Sequence, residues 1–377
     1  MQSKNKLWQW ELAGLLLIVC ALLVNPLMHA VFAVRLALSL QKLASGTAEP
    51  APGIIERKLQ RRMGAQEYDA LIYYPAKSPA TRAMVLVAGL SEQGCYHPRL
   101  VALSRLLADK GLLVITPDIQ EFRQFRISPE PIDQILFWHD QAPKLEGGEK
   151  VQTTGLAGIS FSGTLALMAA AKPEVRDKVG FVVAIGPYSS LIRCSRGWFA
   201  AGPVTVTGDY YPARFYARWI VMLKALDMIE SGRDRLFLRG VLDNLLLQKK
   251  VPPANADLTP EGVRWYALAT MRENQSDAEL SQKIEQYLVS HIYPQLDPAN
   301  ALRSLRCPAF FIHGAYDDLI PPEESMELHQ KVPRSYLLIS PFLTHTHPTD
   351  RQLSWGQKSR AALDTLLFSY HLSKVIR

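Results

Sequence analysis

Apolar residues fall along this chain in short unbroken runs separated by longer amphipathic stretches. Runs around residues 54–60, 67–74, 82–90, 111–118, 178–186, 307–314 and 335–340 predict strands, and another enters Gly158. Helical periodicity occupies residues 98–110 and 131–142, and a helix-forming run, 165–171, leaves Gly163. Continuous apolar strands alternating with helices predict a mostly parallel sheet covered on both faces. The alternation stops over residues 188–300, where helical patterns at 211–229, 235–249, 259–273 and 276–289 replace it. A structureless loop of that length is unusual in a compact domain, so a mainly helical cap inserted after the strand ending at Gly186 is expected.

The N-terminus follows a different pattern. Residues 12–34 are 23 positions without a formally charged acidic or basic side chain. As a helix they would reach about 35 Å, long enough to cross a bilayer with some tilt. Trp8 and Trp10 precede them where an interfacial belt would lie. Asn25, Pro26 and His29 weaken the second half. The competing reading is a cleaved signal peptide with Lys4 and Lys6 as its basic start, but no clean A-x-A site follows. The expected organisation is a tail and single-pass transmembrane anchor (1–38), a linker (39–53), and a folded domain (54–371) that includes the cap. Lys4 and Lys6 on one side nearly balance Arg35 and Lys42 on the other; a short tail kept inside places the domain outside the cytoplasm.

The 377 residues carry a formal charge of +7, with no dense Lys/Arg block or aromatic–basic repeat. Nucleic acid is therefore not an expected partner, whereas an anionic lipid surface is compatible. Cys95, Cys194 and Cys307 lie downstream of Cys20 without C-x-x-C spacing or a His/Cys cluster. Neither a metal nor a cofactor is expected.

Candidate chemistry centres on Gly158-Ile159-Ser160-Phe161-Ser162-Gly163. A strand, a cramped turn and a helix form the context of a nucleophile elbow with Ser160 at its apex. The G-x-S-x-G pattern has Ser162 in place of its last glycine. A plainer reading makes Ser160 a helix N-cap. The balance between the two turns on residues nearer the C-terminus: Asp317 and Asp318 stand after one predicted strand, and His345 and His347 after the next. Serine, acid and histidine in that order suit an esterase-like relay, and a parallel sheet brings such loops to one carboxyl edge.

With these residues in place, the chain resembles the α/β-hydrolase superfamily over residues 54–371. The resemblance implies an α/β fold with a mostly parallel, eight-stranded sheet, helices on both faces and an inserted helical cap. It implies Ser160 as nucleophile. The stretch from His313 to Pro321 resembles the family's H-G-x-x-D-x-x-[VI]-P, assigning the acid to Asp317, with Asp318 as alternative. His345 is the favoured base and His347 the alternative, since no Gly-His pair marks the position. Backbone N–H groups of Phe161 and Leu90 stand where the family draws its oxyanion donors, with Ser91, Tyr96 and His97 as nearby polar candidates. The implied activity is hydrolysis of apolar acyl esters through an acyl-serine. An acyltransferase, thioesterase or peptidase could use the same residues. Phe199, Tyr210, Tyr211, Phe215, Tyr216 and Trp219 could line an acyl pocket or build the cap's own core. A membrane-tethered binding or scaffold protein on the same fold is the reading from a different class.

Overall fold

The computed structural model describes residues 26–40, 42, 53–199, 213–270, 277–345 and 352–377. Two compact units result, one formed by the chain's two ends (Met1–Glu49 and Gln352–Arg377) and one by Pro50–Arg351.

In the larger unit an eight-stranded sheet runs in the order β1-β2-β4-β3-β5-β6-β7-β8. The strands are β1 (Ile54–Met63), β2 (Gln66–Pro75), β3 (Arg82–Val87), β4 (Leu112–Pro117), β5 (Thr153–Ile159), β6 (Val179–Ile185), β7 (Ala309–Gly314) and β8 (Ser335–Ser340). β2 is antiparallel to β1 and β4, and all other pairs are parallel. The buried strands β3 and β4 explain the continuous apolar runs, since neither face meets water. β1 is a largely exposed edge strand, and its polar second half carries it to Met63, beyond the expected end at residue 60.

Helices α2 (Pro98–Asp109), α3 (Gln120–Arg123) and α4 (Pro131–Gln141) connect the first strands. α5 (Phe161–Ala170) follows β5 and is buried except at Met168, so its small apolar residues pack on all sides. Between β6 and β7 lie α6 (Leu191–Phe199), α7 (Ala213–Ala225), α8 (Gly232–Leu246), α9 (Pro260–Thr270), α10 (Ala278–His291) and α11 (Ala299–Ser304). Phe215 and Trp219 of α7 are buried, and Trp219 donates its indole N–H to Ala269 O at 2.8 Å. Tyr210 and Tyr211 lie outside the described residues.

α12 (Pro322–Lys331) separates β7 from β8 and anchors the start of α6. The buried Glu324 carboxylate accepts from the Ser189 and Ser190 amides and the Ser189 hydroxyl, each at 2.8 Å, and Arg193 Nε donates to it at 2.5 Å. This anionic group satisfies N–H groups that a helix start leaves without partners.

In the smaller unit, α1 (residues 26–40) and α13 (Trp355–Ile376) are linked through His29, whose Nδ1 lies 3.0 Å from Ser373 Oγ. Ala33 and Leu36 of α1 are buried. Of the segment expected to cross a bilayer, residues 12–25 lie outside the described residues. Among the described residues no helix is long and apolar enough to cross a membrane.

Candidate active site

The loops after β3, β5, β6, β7 and β8 leave the same edge of the sheet, beside the point where β3 has β4 on one side and β5 on the other. Ser160 sits directly after β5 at φ 59° and ψ −127°, a conformation L-residues avoid. It is held there from both sides: its N–H donates to Ile185 O at 2.6 Å, and its carbonyl accepts from Gly163 N–H at 2.9 Å. A Cβ on Gly158 would strike the Ser162 carbonyl and Gly163 nitrogen, so the chain can double back only over a bare Cα. Ser162, at the position where glycine was expected, is fully buried and put to use. Its hydroxyl oxygen accepts from Ile159 N–H at 2.9 Å, and its proton faces the carbonyls of Ile159 (2.9 Å) and Val87 (3.1 Å).

The Ser160 side chain makes no capping bond to α5, which separates the nucleophile geometry from the plain N-cap reading. Ser160 Oγ lies 3.0 Å from His345 Nε2, and His345 Nδ1 lies 2.7 Å from Asp317 Oδ2. The carboxylate can only accept, so Nδ1 carries the imidazole proton and Nε2 is left to accept from the serine hydroxyl. Asp317 is buried, and its other oxygen, Oδ1, accepts from the Leu319 and Ile320 amides at 3.0 and 2.9 Å. Burial opposes its charge, but hydrogen bonds from His313 and His345, the His345 ring and the Ile320 amide outweigh it, holding the carboxyl well below the usual range.

Behind the acid, the buried His313 places Nε2 2.8 Å from Ile320 O and 3.2 Å from Asp317 Oδ2, with Nδ1 2.6 Å from Ser325 Oγ. Asp318 is exposed, while Asp317 is the carboxylate that meets the histidine. His347 lies outside the described residues. Gly186 is a site residue that sequence reading assigned only to the end of a strand. At φ 61° it runs beneath the His345–Asp317 pair, where its missing Cβ would stand 3.6 Å from His345 Cε1.

Neither the Leu90 nor the Phe161 amide has a hydrogen-bond partner among the described residues. Gly89 abuts the elbow, since a Cβ there would be 3.2 Å from Ile159 O and 3.6 Å from Ser160 Cβ. The loop beyond is tied down by Arg123, which donates to Glu92 O at 3.0 Å and Asp118 Oδ2 at 3.2 Å. Ser91, Tyr96 and His97 have local tasks. Ser91 Oγ accepts from Gln93 N–H, the Tyr96 ring faces Arg123, and His97 Nδ1 caps α2 by accepting from Arg99 N–H.

An eight-stranded sheet with one antiparallel strand inside its edge, a serine at positive φ after β5, an acid after β7 and a histidine after β8 together decide the architecture. This is the α/β-hydrolase fold. No protein-family model and no curated protein sequence matches the chain. Solved structures similar to this chain include Est1E from Butyrivibrio proteoclasticus, at 14% identity and TM-score 0.47, covering 85% of this chain and 98% of that one. The 2,6-dihydroxy-pseudo-oxynicotine hydrolase is 15% identical, with TM-score 0.47 and coverage of 89% and 71%. The Pyrococcus horikoshii acylaminoacyl peptidase is 16% identical, with TM-score 0.45; 84% of this chain covers 41% of that longer protein.

Proposed function

We propose that this chain is a serine hydrolase that cleaves carboxylic esters of apolar acyl groups. The carrying observation is the hydrogen-bonded series Ser160 Oγ–His345 Nε2 and His345 Nδ1–Asp317 Oδ2, at 3.0 and 2.7 Å. As Ser160 Oγ bonds to the ester carbon, its proton passes to His345 Nε2, and Asp317 stabilises the imidazolium. The oxyanion takes hydrogen bonds from the Phe161 and Leu90 amides. Collapse expels the alkoxide, which receives the proton from His345 and leaves as alcohol. Water then gives its proton to His345 and attacks the acyl carbon; Ser160 Oγ departs and recovers a proton. All of these steps use groups of the chain itself and water. Phe199 and Tyr216 of the cap pack against the core and stay partly exposed, and an apolar acyl group is proposed to lie against such rings.

A panel of short- and medium-chain esters tests this reading. Turnover is expected for the purified protein and should fall by at least roughly 10³-fold in Ser160→Ala. Turnover unchanged by that substitution sinks the assignment.

The placement proposed for the enzyme is a membrane, with the hydrolase unit outside the cytoplasm and lipid contact through residues 12–34. Support comes from their uncharged length and from Trp8 and Trp10. α1 meets α13 through His29, and residues 12–25 alone number 14, which at the helical rise would come to about 21 Å, short of a hydrocarbon core of roughly 30 Å. Resistance of the full chain to salt and alkaline washing, with release by detergent, is therefore expected only if residues 26–34 also enter the lipid. Release by alkali indicates shallow attachment, and a soluble mature chain lacking residues 1–34 defeats the anchor.

A further inference from the structure

Tyr216 stands on α7 in the cap, 126 positions from Leu90, yet its hydroxyl donates to the Leu90 carbonyl at 3.2 Å. The same peptide group is held at its other end, because Ser91 N–H donates to Phe122 O at 3.1 Å. Two bonds on opposite sides of the Leu90–Ser91 peptide fix its plane. Gly89, on the preceding side, is confined against Ile159 and Ser160. With both flanks fixed, the direction of the intervening Leu90 N–H is fixed too, and that N–H has no partner of its own among the described residues.

Aromatic packing supports the same assembly. The Tyr216 ring stands edge-on to Phe125, with centroids 5.7 Å apart, and Phe125 returns its amide to Phe122 O from a backbone at φ 55°. The Phe122 ring in turn stands edge-on to Phe161, at 6.0 Å, and Phe161 supplies the other unpaired amide. Both donors thus lean on the α3 segment, and the cap reaches that segment through Tyr216.

We infer that Tyr216 is a positioning residue through which the cap sets the orientation of the Leu90 amide, the second oxyanion donor. The inference rests on the hydrolase reading above and deepens it. A hydroxyl donor commonly lies about 2.8 Å from its acceptor, so the 3.2 Å contact is one that a small shift of α7 would tighten or release. Burial, with a smaller contribution from the Glu92 charge, pushes the Tyr216 phenol well above its ordinary value, so it remains protonated and able to donate.

Tyr216→Phe tests the inference because it keeps the ring against Phe125 and removes only the donor. Expected is a drop in kcat of roughly tenfold, less than outright loss of an oxyanion donor, with KM and the thermal midpoint unchanged. A trifluoromethyl ketone, whose adduct with Ser160 places an oxyanion at these amides, should lose affinity by a similar factor. An active wild type whose Tyr216→Phe variant keeps both kcat and ketone affinity overturns this inference alone, as does a loss confined to KM. A wild type that turns over no ester and binds no ketone overturns the hydrolase reading and this inference with it.

Discussion

Asp317→Asn is expected to lower kcat by roughly 10⁴-fold while the protein remains folded. The two oxygens of Asp317 are not equivalent, and this is what makes the substitution severe. Oδ1 accepts from the Leu319 and Ile320 amides, so the asparagine must keep its carbonyl oxygen there or leave two buried donors unpaired. Its NH2 then faces His345 Nδ1, where Oδ2 had been. A donor at that position selects the tautomer with Nδ1 bare and the proton on Nε2, facing Ser160. That imidazole cannot accept the serine proton. The same NH2 also meets His313 Nε2, which donates to Ile320 O. Steady-state ester turnover by Asp317→Asn and Asp318→Asn, each with a thermal midpoint, checks the argument. Asp318 is exposed, and its variant should keep wild-type kcat. Equal losses in the two variants would defeat the assignment of Asp317 as the residue that orients His345.

That pair of variants addresses a choice between neighbouring carboxylates that the sequence alone left open. Periodicity located β7 because Ala309–Gly314 is an apolar run buried on both faces. It could not say which acid after the strand turns inward, since this depends on amides at positions 319 and 320 closing around one side chain. The same division holds elsewhere. The strands are legible wherever both faces are buried, whereas the end of β1, an exposed edge, is not, because none of its positions is buried and its charged residues begin at Glu56. α6 is hidden in the sequence because the turn that leads into it is held largely by Glu324, more than 130 positions away, which accepts from the Ser189 and Ser190 amides; the only local cap among the described residues is the long 3.3 Å bond from Arg193 N–H to Ser190 Oγ. Ser162 is visible in the sequence as a departure from the elbow pattern, but its bond to Val87 O spans 75 positions and has no local signature. The contact between Tyr216 and Leu90 is hidden for the same reason. Local sequence records which segments fold back; the partners that fix the reacting atoms are brought in by topology.

Gly158→Ala should damage stability and activity together, the second large effect expected of this site. β5 ends one residue later, at Ile159, and the chain reverses so tightly that the Ser162 carbonyl and Gly163 nitrogen close over the Gly158 Cα. A side chain in the way could rotate aside, but these are backbone atoms. Relief requires the turn to open, which pulls Ser162 Oγ from Ile159 N–H and Val87 O and carries Ser160 away from His345. A cost of about 2–3 kcal/mol is expected from such overpacking, measurable as a lower urea midpoint. The displacement of Ser160 should lower kcat/KM by roughly 10²-fold beyond any loss of folded protein. Gly240, in the middle of α8 with nothing within 4 Å of its missing Cβ, supplies the control. Gly240→Ala should raise stability by up to about 1 kcal/mol through helix propensity and leave turnover unchanged. If Gly158→Ala instead unfolds at the wild-type midpoint and hydrolyses ester at the wild-type rate, the cramped turn is not what holds Ser160 in line with His345.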